Sequence, residues 1–253
     1  MRRGPVLLFV LLSAACGDPI VLESDLIWWT DHETGNLDDW SRDQRGGAFP
    51  GPRSGSAVEL SAERARSGSY SVKLTRPGVS GDGGPIVFRE LGAARAYYSA
   101  WYHLPSAPQA VSYWTVTQIR ALPAADPDQA PHGINVNLRV LPGGEVVLLV
   151  FDNDEAGLQT PLADPPAFVP VGRWFHLELL YEHVEAAPGK LTVWLEGTRV
   201  YEVRTGALLG DASAYFMPCN VAKELGSDPV AIFVDDVAIS RTRVTPEGLL
   251  TLE

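Results

Sequence analysis

The chain has 253 residues, with 31 acidic against 20 basic side chains, 24 glycines, 20 prolines and two cysteines. A formal charge of −11 excludes a nucleic-acid binder, because such binding begins with phosphate neutralisation by a basic patch. So few cysteines also exclude a disulfide scaffold, and stability must come from a large apolar core.

Residues 1–16 read as an address, not as structure. Arg2 and Arg3 form a basic head, Val6 to Leu12 an apolar stretch too short to span a bilayer, and Ser13-Ala14-Ala15-Cys16 a small-residue cleavage site ending on cysteine. The segment resembles a bacterial lipoprotein signal, although Ser13 stands where leucine is commonest. The resemblance implies lipidation of Cys16, a membrane anchor in the cell envelope, and a tether over residues 17–26. An ordinary secretory signal is the alternative, and both lead out of the cytoplasm. Loss of Arg2 and Arg3 leaves 18 basic against 31 acidic residues, a charge of −13. Cys219 then remains as the single cysteine not committed to lipid.

Residues 27–244 read as one all-β domain, with residues 245–253 as a tail. Runs of Val, Leu, Tyr, Trp and Phe are broken by Gly and Pro at short intervals, and only residues 211–214 and 221–225 are permissive for helix. No solenoid or propeller repeat is present. Residues 46–55, 76–85 and 123–131 are Gly/Pro-dense loops and the expected rims of a site.

Strict alternation over residues 113–120 places Trp114, Val116, Gln118 and Arg120 opposite Tyr113, Thr115, Thr117 and Ile119. Over residues 133–140, Ile134, Val136, Leu138 and Val140 oppose Asn135, Asn137 and Arg139. Residues 146–151 are apolar on both faces and read as a central strand. Residues 174–180 repeat the mixed pattern, with Trp174, His176 and Glu178 opposing Phe175, Leu177 and Leu179. One concave face of aromatics, amides and guanidiniums is the expectation. Sugars suit it: pyranose C–H faces cover aromatic rings, hydroxyls pair with amides, and a uronate carboxylate matches the planar fork of arginine.

Gly172-Arg173-Trp174-Phe175-His176-Leu177-Glu178 and the closing run from Ala231 to Ser240, with its Asp235-Asp236 pair, resemble the last strands of concanavalin A-like lectin/glucanase sandwiches. The resemblance implies a jelly-roll sandwich of two antiparallel sheets with a concave groove, and a polysaccharide partner. Phe88-Arg89-Glu90-Leu91, Gln118-Ile119-Arg120 and the segment from Tyr215 to Asn220 resemble, in order and spacing, the groove motifs of polysaccharide lyases of the alginate lyase type. Arg120 stands where those proteins carry a histidine base, and the last segment lacks a second tyrosine. The resemblance implies substrate contacts at Arg89 and Gln118 and leaves base and acid unassigned; alternation adds Trp114, Arg120, Asn135, Asn137 and Arg139 as candidate contacts, and His132 beside a loop and Tyr98, Tyr102 or Tyr215 are the candidate substitutes for base and phenol. It also implies one structural calcium at Glu33, Ser67 and Asp236, where the N-terminal segment, the Ser67-Gly68-Ser69-Tyr70 turn and the last strand would meet. Neither zinc-ligand spacing nor an organic cofactor is expected. The acidic strand of the glucanase branch is missing, which ranks a hydrolase last. Three readings stay open: a binding or lyase-like protein, an active lyase on an acidic glycan, and a structural or adhesive envelope protein.

Overall fold

Period-two alternation builds fifteen strands among the described residues. The computed structural model describes residues 23–52, 54–78, 83–108, 113–122, 133–152, 160–184, 187–206, 213–223, 225–226 and 229–247. The strands are β1 (Leu26–Thr30), β2 (Gly46–Phe49), β3 (Ala57–Ser61), β4 (Ser71–Arg76), β5 (Ile86–Glu90), β6 (Arg95–His103), β7 (Trp114–Leu122) and β8 (Gly133–Val140). They continue as β9 (Val146–Asp152), β10 (Phe168–Val169), β11 (Trp174–Val184), β12 (Ala187–Leu195), β13 (Thr198–Thr205), β14 (Ser213–Ala222) and β15 (Val230–Ser240). One sheet has eight strands, in the order β13-β12-β11-β6-β15-β4-β3 with β1 also on β15; the other has seven, β10-β9-β8-β7-β14-β5-β2. Neighbours run antiparallel, so the chain is the expected all-β jelly-roll sandwich.

Sequence and structure part at three places. Residues 213–214 and 221–222, read as permissive for helix, belong to strand β14, and the described α-helix is one turn at Asp38–Ser41. Residues 46–49, read as loop, form edge strand β2 because Gly46 lies against Phe88 O and Trp40 O, where a Cβ would fall within 2.4 Å of both. Leu26, placed in the tether, pairs with Ser240 as the first residue of β1.

The core fills the space between the sheets. Tyr98 meets Phe216 across it with ring centroids 5.4 Å apart, and Tyr102 stacks on Phe175 at 5.8 Å. All four rings are buried, and each of the two phenylalanines is worth roughly 1.5–3 kcal/mol relative to exposure. Asn220 is the polar bolt through this core. Its Oδ1 accepts from Trp114 Nε1 at 3.0 Å, while Nδ2 donates to Leu74 O and Val230 O at 2.9 and 2.8 Å. The side chain of β14 thereby grips β4 and β15 of the opposite sheet.

Asp235 binds the N-terminal segment to the last strand. Its carboxylate is buried, meets His32 Nδ1 at 3.2 Å, and accepts from the backbone N–H of Arg66, Ser67 and Asp236 at 2.7, 3.4 and 2.9 Å. His32 Nε2 accepts from Trp40 Nε1 at 3.3 Å, so the network fixes the neutral tautomer protonated at Nδ1.

The outer face of the eight-stranded sheet is roofed by arginines. Arg66 lies 4.2 Å over Trp101, and Arg243 lies 4.7 Å over Trp194 while donating to Glu178 at 2.8 Å. Beneath them His176 is fully buried, and among the described residues neither ring nitrogen has a hydrogen-bond partner. Burial, with the Arg243 and Arg66 charges nearby, pushes its pKa down to about 3. The unfolded chain, with an ordinary histidine near 6.5, therefore takes up the proton first. Stability from the neutral ring is complete above about pH 6.5 and is lost as pH falls toward 3. Glu178, whose carboxyl burial pushes up, titrates in the opposite sense, so the comparison is made against a variant. Between pH 7 and pH 5, urea unfolding should show wild type losing about 2 kcal/mol more than His176→Gln. Equal losses would remove His176 as the acid-sensitive group.

Candidate functional site

A one-residue irregularity decides which side chains face the groove. The β7–β8 register shifts between Thr115 and Thr117, and the β14–β7 register between Pro218 and Val221. At such a bulge the strand gains a residue and its alternation changes phase. Trp114, Val116, Ile119 and Ala121 enter the core, whereas Tyr113, Thr115, Gln118 and Arg120 line the open face. Pro218 marks the bulge, since proline inside a central strand is confined to such places.

The resulting groove, of about 470 Å³, is built on β7, β8, β9 and β14. Across the sheet, Leu149, Asn137, Thr115 and Val221 form one row, and Phe151, Asn135, Gln118 and Met217 form the next. A third row pairs Gly133, Arg120, Tyr215 and Glu90. Glycine at 133 makes room for arginine, because a Cβ there would meet Arg120 Cγ at 3.0 Å. Thr115 Oγ1 donates to Asn137 Oδ1 at 2.7 Å and fixes that amide. Among the described residues Gln118 Oε1 and Arg120 Nε have no hydrogen-bond partner. Burial pushes the Arg120 pKa down, the mark of a guanidinium that lacks its counter-charge. Arg139 is exposed on the same face, and among the described lining residues none is a carboxylate, while Glu90 at the end of the third row is engaged by Arg45 at 2.6 Å.

Gln118, Arg120, Asn135, Asn137 and Arg139 are thus brought together, and Tyr215 lies directly across from Arg120. Four other expected site residues are elsewhere. Trp114 is a fully buried core residue, put there by the change of phase at the bulge. Tyr98 is sealed between the sheets, where burial pushes its phenol far above the ordinary range, and Tyr102 is buried likewise. Arg89 points away from the groove, because its register partner Phe216 is a core residue. It donates to both Asp43 oxygens at 2.6 and 2.5 Å, lies 5.1 Å over Trp28, and holds the Asp43 carboxyl down at about 2. Trp174, His176 and Glu178 belong to β11 and so to the outer face of the other sheet. His132 and Cys16 lie outside the described residues. Sequence reasoning missed Tyr113, Leu149, Phe151, Met217 and Val221 as groove-facing. The double-sided apolar run of β9 was the signal for Leu149 and Phe151, since its second face is groove floor.

The three expected calcium segments do meet. Glu33 Oε1 accepts from Ser69 N and Tyr70 N, both at 2.8 Å, and Ser67 Oγ donates to Asp236 Oδ1 at 2.7 Å. Burial and the adjoining Asp235 push the Asp236 carboxyl up to about 6. Uncompensated negative charge on an all-oxygen donor set suits a hard cation. Among the described residues, however, no three His, Cys, Asp or Glu side chains are close enough to hold a metal by themselves.

No protein-family model matches the chain, and no curated protein matches it. Solved structures do. An endo-β-1,4-glucuronan lyase from the fungus Trichoderma reesei aligns with a TM-score of 0.61 at 15% identity, covering 87% of this chain and 97% of that one. The fold is the β-sandwich jelly roll that this lyase shares. The cellulose induced protein Cip1 aligns at 0.59 with 16% identity over 86% and 98% of the two chains. The alginate lyase vAL-1 from Chlorella virus aligns at 0.51 with 10% identity over 86% and 100%. At such identities the likeness speaks for the fold, and the site must speak for itself.

Proposed function

We propose that this protein engages a uronate-bearing polysaccharide in the groove of its seven-stranded sheet. The observation that carries the reading is Arg120, a part-buried guanidinium whose Nε has no hydrogen-bond partner among the described residues, in a groove whose described lining holds no carboxylate. A sugar carboxylate supplies the missing counter-charge and accepts the fork bidentately. Gln118 and Asn135 stand ready for hydroxyls, and Tyr113, Leu149 and Phe151 for apolar ring faces. The glucuronan and alginate lyases that share the fold support the same class of ligand.

Active cleavage is the second reading, and it rests on Tyr215 facing Arg120 across one register pair. In such an elimination a base removes the C5 proton, the electron pair forms the C4–C5 double bond, and the C4–O bond breaks as the leaving oxygen takes a proton. Arg120 and Gln118 would hold the carboxylate, and Tyr215 could move a proton.

Incubation of the protein with neutral and uronate polysaccharides, following retention and the absorbance of unsaturated ends, tests both readings. Uronate polymers should be retained and neutral ones not. Arg120→Ala should weaken retention roughly ten- to hundredfold, while Arg89→Ala, behind the sheet, should retain the polymer. Absorbance that vanishes in Tyr215→Phe with retention intact marks a lyase. No retention of any glycan would sink the reading in favour of a structural or adhesive envelope protein.

We propose further that calcium joins Glu33, Ser67 and Asp236, using carboxylate oxygens not engaged by the bonds above. At a hundredfold excess over Kd such an ion adds about 2.7 kcal/mol of stability. A calcium-dependent, chelator-reversible rise in Tm that is lost in Asp236→Asn is the expected result, and an unchanged Tm speaks against the ion. For the leader, Cys16→Ser in a bacterial host should abolish labelled palmitate incorporation and release the protein from membranes. A cysteine variant that stays lipidated would end the anchor proposal.

A further inference from the structure

The concave face extends beyond the central groove in both directions, and each end carries an exposed phenylalanine. On one side Arg139 pairs with Val147 and Val147 with Phe168. Paired residues share a face, so Phe168 continues the Arg139 row on the groove side while Val169 enters the core. Phe168 is 54% exposed. Phe168 also lines a cleft of about 290 Å³ shared with Asp164, Arg173 and, from the β12–β13 hairpin of the other sheet, Glu196 and Thr198, with Arg173 and Glu196 paired at 3.5 Å; these are donors and acceptors of the kind sugar hydroxyls need.

On the opposite edge, Gly47 pairs with Phe88 and Phe49 with Ile86. Phe88 alternates with core-facing Arg89 and so lies on the groove side, edge-on to Tyr215 at 5.7 Å. A Cβ on Gly47 would meet the Phe88 ring at 3.1 Å, so this ring covers bare backbone. Phe49, next along β2 on the same face, is 49% exposed. Single exposed apolar residues are ordinary. Two that terminate one continuous face, on edge strands where proteins usually place charge, are not.

We infer that Phe168 at one edge, and Phe49 with Phe88 at the other, are stacking platforms for outlying sugars of a single bound polysaccharide. The inference rests on the groove reading above and adds its extent: seven strands at about 4.8 Å spacing give a floor about 29 Å wide, enough for several pyranose rings in line. The protein is accordingly a reader of long chains, with charge recognition at the centre and apolar contact at the ends.

Calorimetry of the full chain with glucuronate and alginate oligosaccharides, from the disaccharide upward, tests this. Wild-type affinity should climb with length. Phe168→Ala and Phe49→Ala should each weaken the longest oligomers roughly three- to tenfold, leave the disaccharide unchanged, and be rescued by Phe168→Trp in the first case. A length dependence that survives both alanine variants overturns this inference alone. Wild-type binding that does not increase with length overturns it as well. A wild type that binds no oligomer overturns the groove reading and this inference together.

Discussion

The buried carboxylate of Asp235 is the contact on which the sandwich closes. A charge taken out of water is costly unless it is met by several donors, and here a histidine and three backbone N–H groups meet it. Those donors come from remote parts of the chain: His32 after β1, the Arg66–Ser67 turn between β3 and β4, and the last strand itself. The one described cysteine, Cys219, is free, and this network holds the N-terminal segment against β15. Asp236, at a positive φ of 44°, breaks the register there, and β15 passes from pairing with β4 to pairing with β1.

The seven-stranded sheet is free to be a binding surface because the other sheet carries the closing contacts. Its bulged strands β7 and β14 are anchored from behind by Trp114 and Asn220. The Trp114 ring, expected on the groove face, thereby fixes the floor from behind. In its place the face presents amides, two guanidiniums and the apolar second side of β9. Arg89 and Arg120 show how position divides one residue type between roles. Arg89 is saturated by Asp43 and Trp28 and holds the short helix to β5, whereas among the described residues lining the groove no acid answers Arg120. The protein's overall negative charge makes such a local basic site stand out, since screening confines each charge's influence to about 8 Å at physiological salt.

The outer face of the eight-stranded sheet is a second aromatic surface, but a closed one. Arginines lie over Trp101, Phe233 and Trp194, and His103 and His176 are buried below. The "G-x-W-F-H" strand therefore serves the scaffold: Phe175 packs the core while Trp174 and His176 pack under the roof.

Composition and alternation determined the all-β class, and the end-strand resemblance the jelly roll, because burial of one sheet face imposes a period of two that needs no tertiary information. The same alternation correctly paired Asn135, Asn137 and Arg139 on one face, since β8 runs without a break through those positions. Only the tertiary structure could decide the face of Trp114, the sealing of Tyr98 and the capture of Arg89. A bulge shifts every later side chain by one position yet is set by the neighbouring strand's register, and an arginine's role is set by whether an aspartate 46 residues away folds against it.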